Sequence, residues 1–325
     1  MGYFKPAQKT QRIMTFPSSN DQLCKDLLDS SISDLERISN RYKIENLQSN
    51  FYKDIIIPVS LYLDNFPKRN EPYLICFTGG QGSGKTTMSY FIQEVLSNHC
   101  NRPSMGFSID DIYKSQEERK RISEEVHPLC YVRGVPGTHD IGMGIDLIKA
   151  LSEANHDSVT KIPSFCKPKD QHYPESEWPE YKGRPDFIFF DAWCGGARPI
   201  DEGNWPGPMN DLEREEDPDG IWSKWSNREL AKDYQDLFDR FDLLLMIKVP
   251  SMGFVYESRW IQEQTLAKTI KDPALKEKIM SKEEVYRFVM HYERLTHYIL
   301  EEIPKFSDIV LERDEQFLFS IKKAP

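Results

Sequence analysis

The chain has 325 residues, of which 39% are hydrophobic and 12% aromatic, enough for a packed core in one large α/β domain or two small ones and contrary to disorder. A net charge of −10 argues against nonspecific nucleic-acid binding and anionic membranes, which demand a basic footprint. The six cysteines, at 24, 76, 100, 130, 166 and 194, include no C-x-x-C pair, and no run approaches the ~18 apolar residues that span a bilayer. With no apolar stretch in Met1–Pro6, these features describe a reduced, cytoplasmic protein without disulfides or a zinc site.

In chain order, residues 1 to about 20 are polar and read as a loose arm. From 21 to 66, Leu35, Ile38, Tyr42, Ile44, Leu47, Phe51, Ile55, Ile56, Val59 and Leu63 form a helical stripe that Pro58 should break or kink. The stripe is too apolar to stay solvated, so residues 1–70 are expected to be an arm and a helical N-terminal extension packed on the core. Short apolar runs then follow at 73–78, 104–109, 186–190, 242–249 and 308–311, with helical patterns between most of them. This alternation predicts an α/β fold with a mostly parallel sheet, helices on both faces, and ligands beyond the carboxyl ends of the strands. Two regions break the rhythm. Residues 160–185 read as a long proline-punctuated loop, and about 201–220 as a solvated acidic insertion.

The residues Gly79-Gly80-Gln81-Gly82-Ser83-Gly84-Lys85-Thr86 fit the pattern G-x-x-x-x-G-K-[ST] directly after the first strand, and Thr87 to Leu96 continue at helical spacing. Glycines let several backbone N–H groups converge on phosphates, Lys85 supplies a cation, and the Thr86 hydroxyl suits Mg²⁺. Gly79 through Thr87 are therefore the expected nucleotide site, at the positive end of a helix. Asp110, after the second strand, is either a base for an attacking hydroxyl or a cap for the segment Ser115–Ser123. Asp191 ends the strand Phe187–Phe190 in the position of a Walker-B carboxylate, which orients metal or water, or it forms a turn. In Arg133-Gly134-Val135-Pro136-Gly137-Thr138-His139-Asp140, turn chemistry accounts for the glycines and proline, and Asp140 could cap a helix near 145–153. Arg133 and His139 are left as candidates to bind substrate, the guanidinium because its planar fork suits carboxylates and phosphates.

The order of these motifs, with Ser108-Ile109-Asp110-Asp111-Ile112-Tyr113, the 163–170 loop, Phe190-Asp191-Ala192-Trp193, Val255 to Glu263 and the late helix around Tyr292-Glu293-Arg294, resembles the D-glycerate 3-kinase family of plant and fungal type. That family resembles the phosphoribulokinase, uridine kinase and pantothenate kinase group. The resemblance spans roughly residues 50–312 and implies a P-loop NTPase fold for residues 71–325, with a lid at about 251–290. It also implies that Asp110 is the catalytic base and that Arg259 reaches over the ATP phosphates from the lid. The chain has Asp191-Ala192-Trp193 where the family usually has Glu-Gly-Trp, Phe165-Cys166-Lys167 where Asp precedes the lysine, and Ser258 where a tryptophan is usual.

The expected activity is transfer of the γ-phosphoryl of MgATP to a hydroxyl of a small anionic acceptor such as D-glycerate. Lys85, Asp110 and Arg259 are the catalytic candidates and Thr86 and Asp191 the Mg²⁺ candidates. Asp110, Arg133, His139 and Lys167 are the acceptor-binding candidates. A nucleoside, pantothenate or sugar as acceptor, or an ATP-binding regulatory module with little turnover, are the alternatives. A monomer is favoured, with no nucleic-acid or membrane partner.

Overall fold

The computed structural model describes residues 15–42, 44, 47–269 and 279–325. The N-terminal part of the arm and residues 270–278 of the expected lid lie outside the described residues.

Ten strands form among the described residues: β1 Tyr73–Thr78, β2 Ser104–Ser108, β3 Val159–Lys161, β4 Phe165–Cys166, β5 Gln171–His172, β6 Glu180–Lys182, β7 Phe187–Asp191, β8 Leu243–Lys248, β9 Ile309–Arg313 and β10 Phe319–Lys323. Six of them build the central sheet in the order β10-β9-β8-β1-β7-β2. All its neighbours run parallel except the edge hairpin β9–β10. The five runs expected as strands are its five parallel members. The sixth, β10, was not expected: Phe319-Ser320-Ile321 alternates over too few residues to show a period.

Continuous burial along β1 and β7 reflects a sheet covered on both faces. Because successive side chains point to opposite faces, the strands divide into two cores. Leu74, Cys76, Ile188, Phe190, Leu244 and Met246 pack with helices α5 Ile141–Glu153, α8 Asp233–Phe238 and α10 Lys282–Phe306. Ile75, Phe77, Phe187, Phe189, Leu245 and Ile247 pack with α1 Gln22–Arg41, α2 Ile57–Asp64 and α3 Lys85–Glu94. The apolar stripe of the N-terminal segment thus closes the second core, with Leu35, Ile56, Ile57 and Leu63 wholly inaccessible. Pro58 does not end its helix. A π-helical stretch, Tyr52–Ile56, precedes it, and Pro58 falls in the first turn of α2, where its missing N–H costs little.

Residues 160–185 are more ordered than a loop: β3 pairs with β6 and β4 with β5, each antiparallel. The acidic segment also departs from expectation, since it folds as α6 Asp211–Glu216 and is not simply solvated. Glu213 and Asp217 are almost fully buried. Glu213 pairs with Arg294 of α10, and Asp217 accepts the backbone N–H groups of Trp222 and Ser223 in α7 Ile221–Leu230. Composition alone counted these carboxylates as surface: Arg294, which pairs with Glu213, is remote in sequence, and the helix start whose N–H groups Asp217 accepts has no compositional mark. Among the described residues no His, Cys, Asp or Glu cluster of three could hold a metal ion, and no helix is long and apolar enough to cross a membrane.

Candidate active site

Sheet register assembles the site. Phe77 of β1 and Ser108 of β2 both stand opposite Asp191 of β7, so the loops leaving all three strands emerge side by side at the carboxyl edge. The first is the glycine-rich loop. Gly79 has φ +139°, and a Cβ there would lie 2.3 Å from the carbonyl oxygen of Ile247, so only glycine lets the chain turn so close to β8. Lys85 opens α3 and folds back over the loop, donating to the carbonyls of Gly79 at 2.9 Å and Gly80 at 3.0 Å. Burial lowers its pKa, with the charges of Asp191 and Asp110 opposing that shift. Thr86 donates its hydroxyl to Asp191, which joins the two Mg²⁺ candidates in one contact. Burial raises the Asp191 pKa against the pull of Lys85. Ser83 Oγ and Gln81 Oε1 are buried without a hydrogen-bond partner among the described residues.

Asp110 is not a helix cap. Ser108 caps the short turn Ile109–Asp111 with Asp111 completing the box, and α4 Gln116–Glu125 is capped by Ser115 with Glu118. The Asp110 carboxylate instead receives Lys167 Nζ at 2.5 Å and the Tyr113 hydroxyl at 2.6 Å. Burial is the largest single influence on it and favours the acid, but the Lys167 charge and the two hydrogen bonds together prevail and hold the pKa below the usual carboxylate range. Lys167 comes from β4–β5, so a hairpin far along the chain carries a cation to the end of β2. The same hairpin places Asp170 between two arginines, at 2.7 Å from Arg133 Nη1 and 2.8 Å from Arg119 Nη2. Arg133 also lies over Phe165, 5.8 Å from the ring centre.

His139 is buried, stacked on Tyr113, and hydrogen-bonded through Nδ1 to the Tyr234 hydroxyl. Asp140 caps α5 through Met143 N–H. Arg259, on α9 Met252–Thr269, is paired at 2.8 Å with buried Glu263 one turn later and does not bond the loop. Its neighbour Ser258 makes the contact with the loop: a Cβ on Gly82, at φ +73°, would lie 2.5 Å from Ser258 Cβ. A tryptophan at 258 could not occupy this contact without displacing α9 from the loop.

The structure therefore unites Lys85, Thr86 and Asp191 in one group and Asp110, Lys167, Arg133 and His139 in an adjoining one. Sequence reasoning missed Tyr113, Asp170, Tyr234 and Arg313. Tyr113 stood inside a quoted motif and Asp170 at the end of the 163–170 loop, whereas nothing local marks the other two. Arg313 ends β9, donates to Gly82 O at 2.7 Å and lies 4.8–5.8 Å from the ring centres of Phe254, Phe317 and Phe319. It has no carboxylate partner among the described residues, and burial pulls its pKa down to about 10. With Leu47, Phe51, Gly82, Thr87 and Phe319 it lines a cavity of ≈ 250 Å³.

No family model matches the chain. A protein of Schizosaccharomyces pombe named Uncharacterized kinase mug58 is 29% identical over 246 residues, 73% of this chain and 85% of its own length. Among solved structures, a D-glycerate 3-kinase from Cryptococcus neoformans var. grubii superposes with a TM-score of 0.63 at 17% identity, covering 91% of this chain and 99% of that one. The YGR205w protein gives 0.60 at 22% identity, covering 91% and 97%. Glycine loop, strand order and these neighbours together give the chain the P-loop kinase fold that the resemblance to D-glycerate 3-kinases implies.

Proposed function

We propose that the chain is a kinase that transfers the γ-phosphoryl of MgATP to a hydroxyl of a small anionic acceptor such as D-glycerate. The observation that carries this reading is the sheet register, which sets the phosphate loop, Asp191 and Asp110 at one edge. The residues present fit ATP. The loop supplies converging backbone N–H groups, Ser83 and Gln81 hold unpartnered polar atoms, and the ≈ 250 Å³ cavity beside Gly82 suits a flat base between Arg313 and phenyl rings. That volume is below the roughly 300–1,000 Å³ of pockets for whole ligands, so it is the seat of the base and not of the entire nucleotide. Thr86 and Asp191 would hold Mg²⁺, which when bound neutralises phosphate charge.

The chain's own residues divide the remaining work. Lys85 binds phosphate oxygens once it leaves its two carbonyls, and the ionised Asp110 orients the acceptor hydroxyl and takes its proton. Lys167, 2.5 Å from Asp110, supplies positive charge for an acid group on the acceptor, with Arg133 beside it. Arg259 joins the site only if its pair with Glu263 opens, as a lid at about 251–290 within the kinase core of residues 71–325 would require. The relative's name as a kinase supports phosphotransfer, and the glycerate kinase neighbour supports the acceptor. A cytoplasmic location accords with free buried thiols at Cys76 and Cys194.

The pairing of Lys167 and Arg133 with carboxylates of the chain itself favours one rival, an ATP-binding module with little turnover. ADP release from MgATP, measured against hydroxy acids, nucleosides, pantothenate and sugars with Lys85→Ala as blank, separates the two. Stimulation by D-glycerate supports the reading, stimulation by another compound replaces the acceptor, and ATP binding without stimulation favours the module.

A further inference from the structure

His139 is 2% exposed and its ring lies 4.7 Å from that of Tyr113 at an interplanar angle of 22°. Tyr113 donates its hydroxyl to Asp110, so the imidazole stands one aromatic layer from the carboxylate that receives the acceptor proton in the proposed reaction. Burial holds the His139 pKa down to about 3 against the opposing charge of Asp110, and the ring is neutral. A neutral imidazole carries one N–H, and Tyr234 decides which nitrogen bears it.

The Tyr234 oxygen is buried, accepts the backbone N–H of Gly137 at 2.9 Å, and lies 2.7 Å from His139 Nδ1. Two proton arrangements fit that distance. In the first, Tyr234 donates to Nδ1 and the imidazole proton sits on Nε2. In the second, Nδ1–H donates to the phenol, whose own proton then has no acceptor among the described residues, while Nε2 becomes a bare lone pair. The second leaves two buried groups unsatisfied and the first only one, and each such group carries its full desolvation cost. The first arrangement wins, and His139 Nε2 is left as a buried donor with no partner among the described residues.

We propose that Tyr234 is a positioning residue that holds His139 as an Nε2–H donor, and that this donor receives an oxygen lone pair of the phosphoryl acceptor. The inference rests on the kinase reading and narrows its substrate class. An uncharged donor that keeps its proton across neutral pH donates to a carboxylate or hydroxyl oxygen, and it rejects a compound that presents an ammonium group at that position.

Two measurements test it. In ¹⁵N spectra of histidine-labelled protein, resonances lost in His139→Gln should show the neutral Nε2–H form at pH 7; an Nδ1–H form or an imidazolium overturns the assignment. In kinetics with D-glycerate, or whichever compound of the panel stimulates ADP release, Tyr234→Phe should raise the acceptor KM about ten-fold and leave the MgATP KM within about two-fold. His139→Gln, whose amide nitrogen can stand near the Nε2 position, should retain more acceptor affinity than His139→Asn. Equal losses in Gln and Asn, or parallel rises in both KM values, would sink the donor role. If no compound stimulates the unchanged protein, the kinase reading fails separately. The Nε2–H resonance then decides alone: a shift on adding D-glycerate supports the donor site, and no shift overturns it.

Discussion

The two halves of the site are built on opposite plans. The proposed nucleotide half is largely contiguous: nine successive residues, Gly79 to Thr87, supply the loop, the lysine and the hydroxyl, while Asp191 and Arg313 with its phenyl rings come from elsewhere. Ser83 and Gln81 each leave a polar atom unpartnered among the described residues, Lys85 rests on backbone carbonyls, and Thr86 meets Asp191. The acceptor half is gathered from β2, the Arg133 turn, the β4–β5 hairpin and α8, and its charges are already matched within the chain: Asp110 with Lys167, Arg133 and Arg119 with Asp170. Phosphate recognition needs closely spaced backbone donors, which a local motif can provide. Recognition of a small acceptor needs side chains from several directions, which only a folded sheet edge can converge.

The comparison breaks most visibly at Asp110. Asp110→Asn should lower kcat by roughly 10²- to 10⁴-fold, the range for loss of a general base, while leaving MgATP affinity nearly unchanged. Unchanged turnover in a folded variant removes Asp110 from that role, and a joint loss of ATP binding would mean the two halves are not separable.

Asp170→Asn should act on stability as well as on the acceptor. It leaves Arg119, 1% exposed, without its carboxylate. Because Asp170 itself keeps 23% of its exposure, the expected cost is about 2–3 kcal/mol in urea unfolding, below the range for a fully buried pair. A stability loss confined to a few tenths would show that the two arginines find other partners.

Gly82→Ala probes the nucleotide half alone. The residue must hold φ +73°, which costs an L-residue roughly 1–2 kcal/mol, and its methyl group would meet Ser258. MgATP affinity should fall with little change in the acceptor KM, by isothermal titration and steady-state kinetics. Equal changes in both would deny that the loop and the acceptor half are independent.

Acidification gives the most distributed effect. Burial lowers the pKa of His139 to about 3 and of His291 to about 4. The unfolded chain therefore binds their protons first, and stability present above about pH 6.5 is lost as pH falls toward these values. Asp111, raised to about 6 by burial, works oppositely: its contribution is present at low pH and lost as pH rises through 6. The two histidines outweigh it, so urea stability should drop by roughly 1–3 kcal/mol from pH 7 to 5, and His291→Gln should flatten the slope. A midpoint independent of pH would show that both rings take protons without opening the fold.

Much of the fold was legible in the sequence, for reasons particular residues show. The runs at Tyr73–Phe77 and Phe187–Phe190 are apolar on both faces because helices cover both sides of the sheet, and a continuous run survives any window of reading. The hairpin strand β10 and the small sheets in 160–185 have two to five residues each, too few for a period to emerge. In the site, Lys85, Thr86 and Asp191 were readable because each is fixed by its place in a loop or at a strand end. Asp110 was ambiguous between base and cap until Ser108 and Ser115 were seen to do the capping.

By itself, the sequence determined the α/β alternation, the phosphate loop and the carboxylates at the strand ends, since these depend on residues adjacent in the chain and on the two-residue period of a strand. Tertiary structure alone decided that Lys167 neutralises Asp110, that Asp170 claims Arg133, that Glu263 holds Arg259, and that Tyr234 meets His139. Each of these joins side chains whose distance depends on how strands register and helices pack. The charge state and the hydrogen-bonding role of a buried group are properties of that neighbourhood, and no local pattern encodes it.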